Sequence, residues 1–377
     1  MVGGGIGGLA AARALQLAGW TVQVLEQAAR LEPLGAGISL WPNAVHALNL
    51  LDVPLAVRSS PAGPGGLRAS HGRWLSRTDS ATYPARYGAQ LLAVHRAELQ
   101  HALLASLPPD TVATGARVTG LEPRPDGVLV RHDRGVHRAE LAVLADGLAS
   151  PTRRLVTGRR PRPRYAGYTA WCGITSTGAA FPPLSGATET WGRGERFGLV
   201  PLADGRTYWF ATANTKEGQQ ATAGEHTEVR RRFSAWHDPI AEVLVATDPT
   251  GVLRHDVYDL RPHPSRYTSG RLVLLGDAAH AMTPNLGQGA CQALEDAATL
   301  RVLAGRSTDL GTVLAGYDAL RRPRARGVAL RSRQLGRLGQ LSGHGTTCVR
   351  DLLMRAAPGR TTNRQLDSTL SWSIPSS

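Results

Sequence analysis

The segment spanning residues 272–300 places a carboxylate, a proline and a glycine-rich turn between a short apolar run and a helix-like stretch. The apolar run ends at Gly276-Asp277, which puts the Asp277 carboxylate at the carboxyl edge of a predicted strand, where open α/β sheets bind ligands. There it can hold a sugar-like hydroxyl. Pro284 stiffens the loop, and Gly287-Gln288-Gly289 lets backbone N–H groups approach a flat ligand. The helix predicted at residues 290–300 would point a partial positive charge at that ligand.

The beginning of the chain carries a second ligand-binding pattern, G-x-G-x-x-G. Its glycines are Gly3, Gly5 and Gly8. A helix-like stretch follows at residues 9–18, and an alternating strand at residues 21–25 ends in Glu26. Glu26 comes about 20 positions after the glycines, where the acidic residue of a dinucleotide-binding fold accepts hydrogen bonds from a ribose. We predict that these residues bind a pyrophosphate and its ribose, with Gln27 beside Glu26 in the same site.

The strand that should feed this fingerprint is short. Only Met1 and Val2 precede Gly3, whereas a dinucleotide fingerprint usually follows a strand of about five residues at the centre of its sheet. Two expectations follow. Either the start codon lies upstream, or the protein lacks most of this strand and holds its sheet and cofactor poorly.

Residues 272–300 closely resemble the GD motif of the class A flavoprotein monooxygenases, the FAD-dependent aromatic hydroxylases of the p-hydroxybenzoate hydroxylase fold. The resemblance implies that Asp277 binds the ribityl chain of noncovalently bound FAD. It also implies that Pro284 and the Gly287–Gly289 turn line the isoalloxazine, and Pro284 is placed in the catalytic set. In this family NAD(P)H is a transient cosubstrate that reduces FAD. Molecular oxygen then forms a flavin 4a-hydroperoxide, which hydroxylates a small aromatic or heteroaromatic substrate.

Two shorter segments resemble the same family. Residues 35–43, which include Ser39, resemble a loop that runs past the flavin. Residues 95–99 resemble a segment whose arginine contacts FAD, and the resemblance makes Arg96 that arginine. A solvated arginine is the alternative interpretation, because isolated short motifs produce false matches.

Residues 145–150 resemble the DG motif, which is associated with both FAD and nicotinamide binding. The resemblance assigns this role to Asp146, with Arg153 shortly after it. Leu144 stands where a glycine is usual, which weakens the nicotinamide inference. An ordinary Asp-Gly turn is the alternative interpretation.

The middle of the chain has a different residue pattern. Between about residues 165 and 260, short runs rich in aromatic residues and threonine are separated by Gly, Pro and Asp, which predicts an antiparallel sheet. The predicted fold class is α/β, with a Rossmann-like dinucleotide-binding FAD domain, an inserted antiparallel β-sheet substrate domain and C-terminal helices. We assign residues 1–70, 91–164 and 265–340 to the FAD domain, 71–90 and 165–264 to the substrate domain, and 341–377 to a C-terminal helical segment and tail.

A hairpin running from Arg196 to Tyr208 carries the candidate substrate-contacting residues. It is similar to a segment of the FAD-dependent urate hydroxylase branch, which implies that both residues face the substrate. A three-residue loop with Gly205 left-handed would put their side chains on one face, whereas a two-residue turn would separate them. A packed sheet tyrosine and a rim arginine are the alternative. Cys172 stands where relatives often carry a longer polar residue, which argues against urate itself.

The chain has 377 residues and a formal net charge of +14, with Lys216 as its single lysine. A basic protein can bind nucleic acid, but such proteins concentrate the charge on one element with a recognition motif. Here the arginines are scattered, with the densest groups at residues 153–164 and 321–326. We therefore predict solvated surface arginines and no nucleic-acid partner.

Three widely spaced cysteines without a C-x-x-C pair predict a reduced, cytoplasmic setting. The histidines lack the spacing of a zinc site, so no metal is expected. The sequence contains no run of about 18 or more apolar residues, so no membrane association is expected. A homodimer is compatible with the fold.

The same fold is compatible with other functions. A flavin halogenase is disfavoured, because by family resemblance it needs a W-x-W-x-I-P segment and a dedicated lysine, whereas Lys216 lies in a Gly/Gln-rich loop. A flavin oxidoreductase without oxygen insertion and an alkene epoxidase stay open as alternatives. A cofactor-free scaffold also stays open if the short N-terminus is genuine.

Overall fold

The computed structural model describes residues 1–31, 37–55, 63–159, 161–178, 181, 183–356 and 367–373. The α-helices of these ranges are α1 (Ile6–Leu17), α2 (Pro42–Leu50), α3 (Tyr83–Tyr87), α4 (Arg96–Ala105), α5 (Arg153–Thr157), α6 (Glu225–Phe233), α7 (Ile240–Val245), α8 (Asp277–His280), α9 (Gly289–Arg306), α10 (Leu310–Gly339) and α11 (His344–Ala356). The predicted helix after Gly289 is therefore present and extends to Arg306.

The β-strands of these ranges lie in two large sheets, a two-stranded pair and a small meander. They are β1 (Val24–Leu25), β2 (Gly37–Leu40), β3 (Pro64–Ala69), β4 (Trp74–Asp79), β5 (Leu92–His95), β6 (Val112–Ala113), β7 (Val118–Arg124), β8 (Gly127–His132), β9 (Gly135–Ala139), β10 (Ala142–Leu144), β11 (Pro163–Ile174), β12 (Thr188–Trp191), β13 (Glu195–Pro201), β14 (Thr207–Asn214), β15 (Leu253–Leu260), β16 (Thr268–Ser269) and β17 (Leu272–Leu274).

The first sheet is mostly parallel, as expected for a Rossmann-like domain. β1 pairs with β6 and β10 with β17 in parallel, and β16 adds an antiparallel edge. Val2 lies between the two halves, since it forms parallel bridges to both Leu25 and Leu144. The backbone around Val2 thus takes the central position next to the fingerprint glycines. The strand predicted at residues 21–25 is shorter than expected, because only Val24 and Leu25 find partners on β6.

The first sheet is covered by helices with small, buried side chains. α1 buries a row of alanines and leucines, and α9 buries almost every side chain from Cys291 to Leu300. A Cβ added at Gly7 would lie 2.8 Å from Leu275 and 3.4 Å from Ala293, so α1 packs very close to the end of β17 and to α9. Close packing holds the two ligand-binding motifs, which are far apart in sequence, in one rigid unit.

The second sheet has the order β15-β11-β14-β13-β12-β3-β4 among the described residues. Its neighbours are antiparallel except for β12 and β3, which run in parallel. The predicted antiparallel sheet is therefore present. β3 belongs to it although the predicted division placed residues 64–69 with the FAD domain, and β11 begins at Pro163.

One face of this sheet is closed by α6 and α7. Trp171, Phe197 and Trp209 point to that side and pack with Phe233 and Ile240 in a dry cluster. Phe197 and Trp209 stack with ring centroids 5.5 Å apart. Since side chains alternate along a strand, the residues between them lie on the opposite face of the sheet.

The prediction of a loop at residues 35–43 is wrong for the described part of this region. Residues 35 and 36 lie outside the described residues, but Gly37–Leu40 form strand β2, which pairs antiparallel with β5. Pro42 then starts α2. The glycines and proline of this stretch resemble a loop in sequence, and only the distant partner strand β5 makes it a strand.

The C-terminal part is helical, as predicted. α10 runs from Leu310 to Gly339 with Pro323 inside it, and α11 follows. No helix of the described residues is both long enough and apolar enough to cross a lipid bilayer. The same residues contain no group of three or more His, Cys, Asp or Glu side chains placed to hold a metal ion.

Candidate active site

The G-x-G-x-x-G fingerprint forms a tight turn against β10. Gly3 has φ +101°, and a Cβ there would lie 2.5 Å from the Ala145 carbonyl oxygen. A Cβ at Gly8 would lie 2.0 Å from the Gly3 carbonyl oxygen, so α1 can start this close to the turn only with glycine. Gly5 is the N-cap of α1 and faces open space. The N-terminus of α1 is thus accessible to an anionic group.

Glu26 lies beside this turn at the end of β1. One carboxylate oxygen accepts a hydrogen bond from Gly4 N at 2.6 Å and the other from Ala28 N at 2.8 Å. The carboxylate borders a cavity of about 520 Å³, whose lining residues are Gly4, Gly5, Glu26, Ala28, Ala29, Arg30, Leu31 and Gln100. Sequence reasoning missed Arg30 and Gln100, although Gln100 is one helical turn after Arg96. Gln27 is exposed and does not line this cavity.

Asp277 begins α8 at the carboxyl edge of β17. Its side chain is exposed, while the preceding Gly276 is buried with φ +62°. The backbone carbonyls of Asp277 and Ala278 accept hydrogen bonds from the buried Arg153 guanidinium, at 3.3 and 2.6 Å. The turn therefore presents the Asp277 carboxylate to solvent, as a ligand-binding role requires.

Arg153 also holds the DG segment. It donates to the Gly147 and Leu148 carbonyls at 3.2 and 2.9 Å, so the DG and GD segments share one buried cation. One oxygen of Asp146 accepts from the Thr152 hydroxyl at 2.7 Å. The other is buried without a hydrogen-bond partner among the described residues. A buried carboxylate oxygen of this kind is costly unless a ligand or water satisfies it.

The glycine-rich turn before α9 packs against Trp41. Gly287 has φ +60°, and a Cβ there would lie 2.9 Å from Trp41 Nε1. Within the described ranges this indole nitrogen is buried with no hydrogen-bond partner. Gly289 faces open space, whereas the Gln288 side chain is buried and bonds to Asn43. Gln288 can therefore meet a cofactor only through its backbone.

A buried charged cluster lies directly behind this turn. Glu295 and Asp296 of α9 are fully buried, and Arg321 of α10 binds both, at 2.5 and 2.7 Å. Asp296 also accepts from His280 Nε2 at 2.6 Å and from Gly276 N at 3.0 Å. The prediction that the arginines of residues 321–326 are solvated surface is wrong for Arg321. Their periodicity resembles an exposed helix, and nothing local in the sequence shows the partners on α9.

The hairpin joining β13 and β14 has a three-residue loop. Leu202 N donates to Arg206 O at 2.8 Å and Gly205 has φ +85°, which is the first of the two geometries left open. The register pairs Arg196 with Thr212 and Val200 with Tyr208. Arg196 and Tyr208 therefore lie on the same face, opposite the one closed by α6 and α7.

Arg196 is 2% exposed and joins the sheet to the loop after Pro284. Its Nη2 donates to Asn285 Oδ1 at 2.5 Å and its Nη1 to Glu189 at 3.1 Å. Its Nε donates to the Thr212 hydroxyl and to Gln340. These bonds use one N–H of each terminal nitrogen, so within the described residues the guanidinium keeps donors for a further partner. The rim-charge alternative does not fit such a buried side chain.

Tyr208 is half-buried and packs on the backbone of β2. A Cβ at Gly37 would lie 2.3 Å from the Tyr208 ring, so only glycine accommodates the ring there. Ser39 lies two residues along β2, on the same face as Gly37. Burial raises the pKa of Tyr208 far above its usual range, with a smaller contribution from Cys172. The phenol is therefore neutral at physiological pH.

Arg96 is the first residue of α4 and is exposed. Burial raises the pKa of the Cys172 thiol on β11 to about 11, and the nearby Arg96 guanidinium opposes this shift. Partial burial, Arg96 and Arg254 lower the pKa of His255 on β15. Arg96 thus lies close to the second sheet, on the face that carries Cys172.

The candidate residues fit a bound FAD. An exposed carboxylate, an unsatisfied buried oxygen at Asp146, two helix N-termini and a cavity beside Glu26 are the features that an extended, doubly phosphorylated cofactor needs. Arg153 connects the two segments expected near its centre.

Comparison with known proteins agrees with this geometry. Residues 1–332 match the family described as FAD binding domain. The chain is 39% identical over 358 residues to the aurachin C monooxygenase/isomerase of Stigmatella aurantiaca, covering 94% of this chain and 93% of that protein. It is 35% identical over 340 residues to the FAD-dependent urate hydroxylase of Klebsiella oxytoca, covering 89% and 88%.

Similarity to a solved structure covers nearly the whole molecule. The crystal structure of Klebsiella pneumoniae HpxO complexed with FAD and uric acid has a TM-score of 0.90 and 33% sequence identity, covering 98% of this chain and 96% of that one. These relatives are monooxygenases or hydroxylases, and none of them supports an oxidoreductase without oxygen insertion or an alkene epoxidase. The chain belongs to the FAD binding domain family and is an FAD-dependent monooxygenase of the class A flavoprotein type.

Proposed function

We propose that this monooxygenase uses molecular oxygen and NAD(P)H to hydroxylate a small aromatic or heteroaromatic substrate, bound between the open face of the second sheet and the Gly287–Gly289 turn. One observation carries the proposal. Arg196 and Tyr208 share this face, and each contacts a segment that the resemblance places beside the flavin. The similarity to the FAD-dependent urate hydroxylase supports a heteroaromatic ring substrate.

The cofactor roles are distributed along the molecule. Gly3, Gly5 and Gly8 would hold the pyrophosphate at the N-terminus of α1, and Glu26 would hold a ribose. Asp277 would bind the ribityl chain, with Asp146, Arg96 and Ser39 nearby, and Gln27 is the weakest member of the set. The residues that would lie against the ring system are Pro284, Gly287, Gln288 and Gly289.

Bound FAD would accept electrons from NAD(P)H and activate oxygen. The protein would orient the substrate ring and exclude water. Arg196 would bind an anionic or phenolic oxygen of the substrate through its remaining N–H groups. The Tyr208 hydroxyl, which stays neutral, would donate or accept one hydrogen bond at the ring and would not act as a charged base. The N-terminus of α9 would stabilise negative charge on the reduced cofactor.

The substrate side of the cleft is largely apolar. Tyr208 packs with Ile174, Val200 and Leu202, and the Phe210 ring covers Gly198, where a Cβ would lie 2.1 Å from the ring. Cys172 is next to Phe210 across the strands and its thiol stays protonated. We infer a substrate with fewer polar atoms at this end than urate carries. Such a lining also keeps water away from the reacting centre.

Two further expectations, on cellular location and on assembly, belong to this proposal. All three cysteines are free, in keeping with a reducing, cytoplasmic environment. A homodimer stays compatible with the fold, and light scattering can check the assembly. The nicotinamide cosubstrate can be identified by comparing NADH and NADPH at equal concentration.

The proposal is tested by NAD(P)H oxidation across a panel of aromatic acids, phenols and purines, with product and hydrogen peroxide measured together. Tyr208→Phe should lower coupled hydroxylation and raise peroxide, with FAD content unchanged. The reason is that positioning of this kind lowers the activation barrier by roughly several kcal/mol. Trp209→Phe is a matched control on the opposite face of β14. Wild-type coupling in Tyr208→Phe would remove Tyr208 from the site.

A further inference from the structure

The last described residues, 367–373, dock against α3 and α10, and we call them the C-terminal segment. Asp367 accepts a bidentate pair of hydrogen bonds from Arg86 at 2.8 and 2.7 Å, and one from the Tyr87 hydroxyl at 3.0 Å. Leu370 is 2% exposed and packs with Tyr83 and Tyr87 in a cluster that Trp41 completes. This burial gives the segment a defined position.

One arginine connects the C-terminal segment with the charged cluster behind the turn. Arg324 of α10 donates to the Ser368 carbonyl at 2.8 Å and to the Thr369 carbonyl at 2.6 Å. The same guanidinium donates to Glu295 at 2.9 and 3.2 Å. Glu295 is fully buried, so the orientation of each of its donors matters for its stability.

Glu295 continues the connection to the turn. Asn43 Nδ2 donates to Glu295 at 2.7 Å and to Gln288 Oε1 at 2.9 Å. Gln288 is the middle residue of the Gly287–Gly289 turn. An unbroken chain of direct hydrogen bonds therefore runs from the segment's backbone through Arg324, Glu295 and Asn43 to the turn.

A second route reaches the same turn through packing. Leu370 and Trp41 belong to one cluster, and the Trp41 indole nitrogen lies where a side chain at Gly287 would be. Trp41 cannot move toward Gly287 without a clash or away from the cluster without leaving a gap. Two independent contacts thus converge on the turn from a segment more than 60 residues away in sequence.

We propose that the C-terminal segment positions the Gly287–Gly289 turn for FAD, with Arg324 and Asp367 as positioning residues. The inference depends on the proposed role of this turn in flavin binding. Detachment of the segment would free Arg324 from two carbonyls, let Glu295 and Asn43 reorient, and loosen Gln288. By linkage, bound FAD must then also hold the segment more firmly in place.

The test uses full-length protein. Asp367→Ala and, separately, Leu370→Ala should each raise the FAD dissociation constant about fivefold or more and shift the visible flavin absorption band. The matched control is Arg326→Ala, an exposed position on the same helix as Arg324, which should change neither. Asp367→Glu should restore most of the affinity. A role limited to folding would instead lower the melting temperature of the apoprotein and leave the flavin band unchanged.

Two readouts separate this inference from the assignment of the turn. Hydrogen exchange of residues 367–373 should slow when FAD is added, which needs no turnover. If Gly287→Ala weakens FAD binding while both segment variants bind FAD normally, the coupling is wrong and the turn assignment stands. If none of the three changes FAD binding, both the coupling and the turn assignment fail.

Discussion

Arg196 and Asn285 are joined by a hydrogen bond of 2.5 Å that links the second sheet to the loop following Pro284. Asn285 is fixed in turn by Thr283 and by the Ser332 carbonyl on α10. The guanidinium therefore cannot shift without disturbing the loop beside the candidate flavin site. Arg196, the candidate substrate-binding charge, and the loop after Pro284 therefore form one mechanical unit.

Arg196→Lys should break this unit while keeping the charge. A lysine cannot make the separate bonds to Asn285, Glu189 and Thr212 that the planar guanidinium makes. We expect kcat/KM for coupled hydroxylation to fall about tenfold or more, roughly 1.4 kcal/mol or more of barrier. Steady-state assays with peroxide detection measure this effect. Arg206→Lys, at the exposed end of the same hairpin, should behave as wild type.

Asp277→Ala should weaken FAD retention by roughly 1–3 kcal/mol, the cost of one lost charge-assisted hydrogen bond. The side chain is exposed, so the variant should fold normally. Fluorescence titration of the apoprotein with FAD gives the dissociation constant. Asp277→Asn, which keeps an acceptor, should lie between the two. Unchanged flavin affinity in the alanine variant would rule out the assigned role.

Gly37→Ala should displace the Tyr208 ring, because the added methyl group would lie 2.3 Å from it. Overpacking of this kind costs about 1–3 kcal/mol of stability, and we expect a matching loss of coupling between NAD(P)H oxidation and product. Gly305→Ala is the control, since a Cβ there meets open space within α9. Tight coupling in Gly37→Ala would show that Tyr208 does not orient the substrate.

Arg321→Ala should destabilise the fold by about 3–5 kcal/mol, because it leaves two buried carboxylates with too little positive charge. Burial alone would raise the pKa of Glu295, but Arg321 and Arg324 hold it below its usual value. Without Arg321 the folded-state pKa of the buried carboxylates rises, so acid protonates them more readily in the folded variant than in the folded wild type. The stability deficit of the variant should therefore be largest near neutral pH and shrink as pH falls. Urea unfolding across acidic pH checks this. Arg322→Ala, whose partner Asp318 lies on the surface side, should cost about 0–1 kcal/mol.

His263 should make stability depend on pH below 6.5. Its ring nitrogens are buried without hydrogen-bond partners among the described residues. Burial and the nearby Arg333 lower its pKa from 6.5 to about 4. The unfolded chain thus binds a proton more readily, so the contribution of His263 to stability is constant above pH 6.5 and declines as pH falls from 6.5 to 4. His263→Gln should flatten that decline in urea midpoints, whereas His101→Gln, at an exposed position, should not.

The sequence predicted the features that depend on neighbouring residues in the chain. The fingerprint glycines, Glu26 and Asp277 lie where their spacing placed them, because turns and strand ends are determined by the residues themselves. The hairpin needed one fact beyond the sequence, the left-handed Gly205, to choose between two registers. The roles of these residues in binding stay predictions.

What sequence reasoning missed depends on distant partners. Glu295 and Asp296 look like ordinary charges of an exposed helix, and only the packing of α10 on α9 shows that Arg321 neutralises them. Arg153 similarly looked like part of a basic linker, yet it is buried between two loops. Charge pairs of this kind leave no periodic signal, because their members lie on different elements.

The alternation along β13 and β14 separates two kinds of evolutionary change. Phe197 and Trp209 pack against the helices behind the sheet, whereas Tyr208 and Phe210 lie on the face of the candidate cleft. Substitutions at Tyr208 and Phe210 can therefore alter the candidate cleft without disturbing the packing behind the sheet, whereas Arg196 is bonded to the loop after Pro284 and is best left unchanged. A directed-evolution library limited to those positions would retain folded members at high frequency and still sample new chemistries.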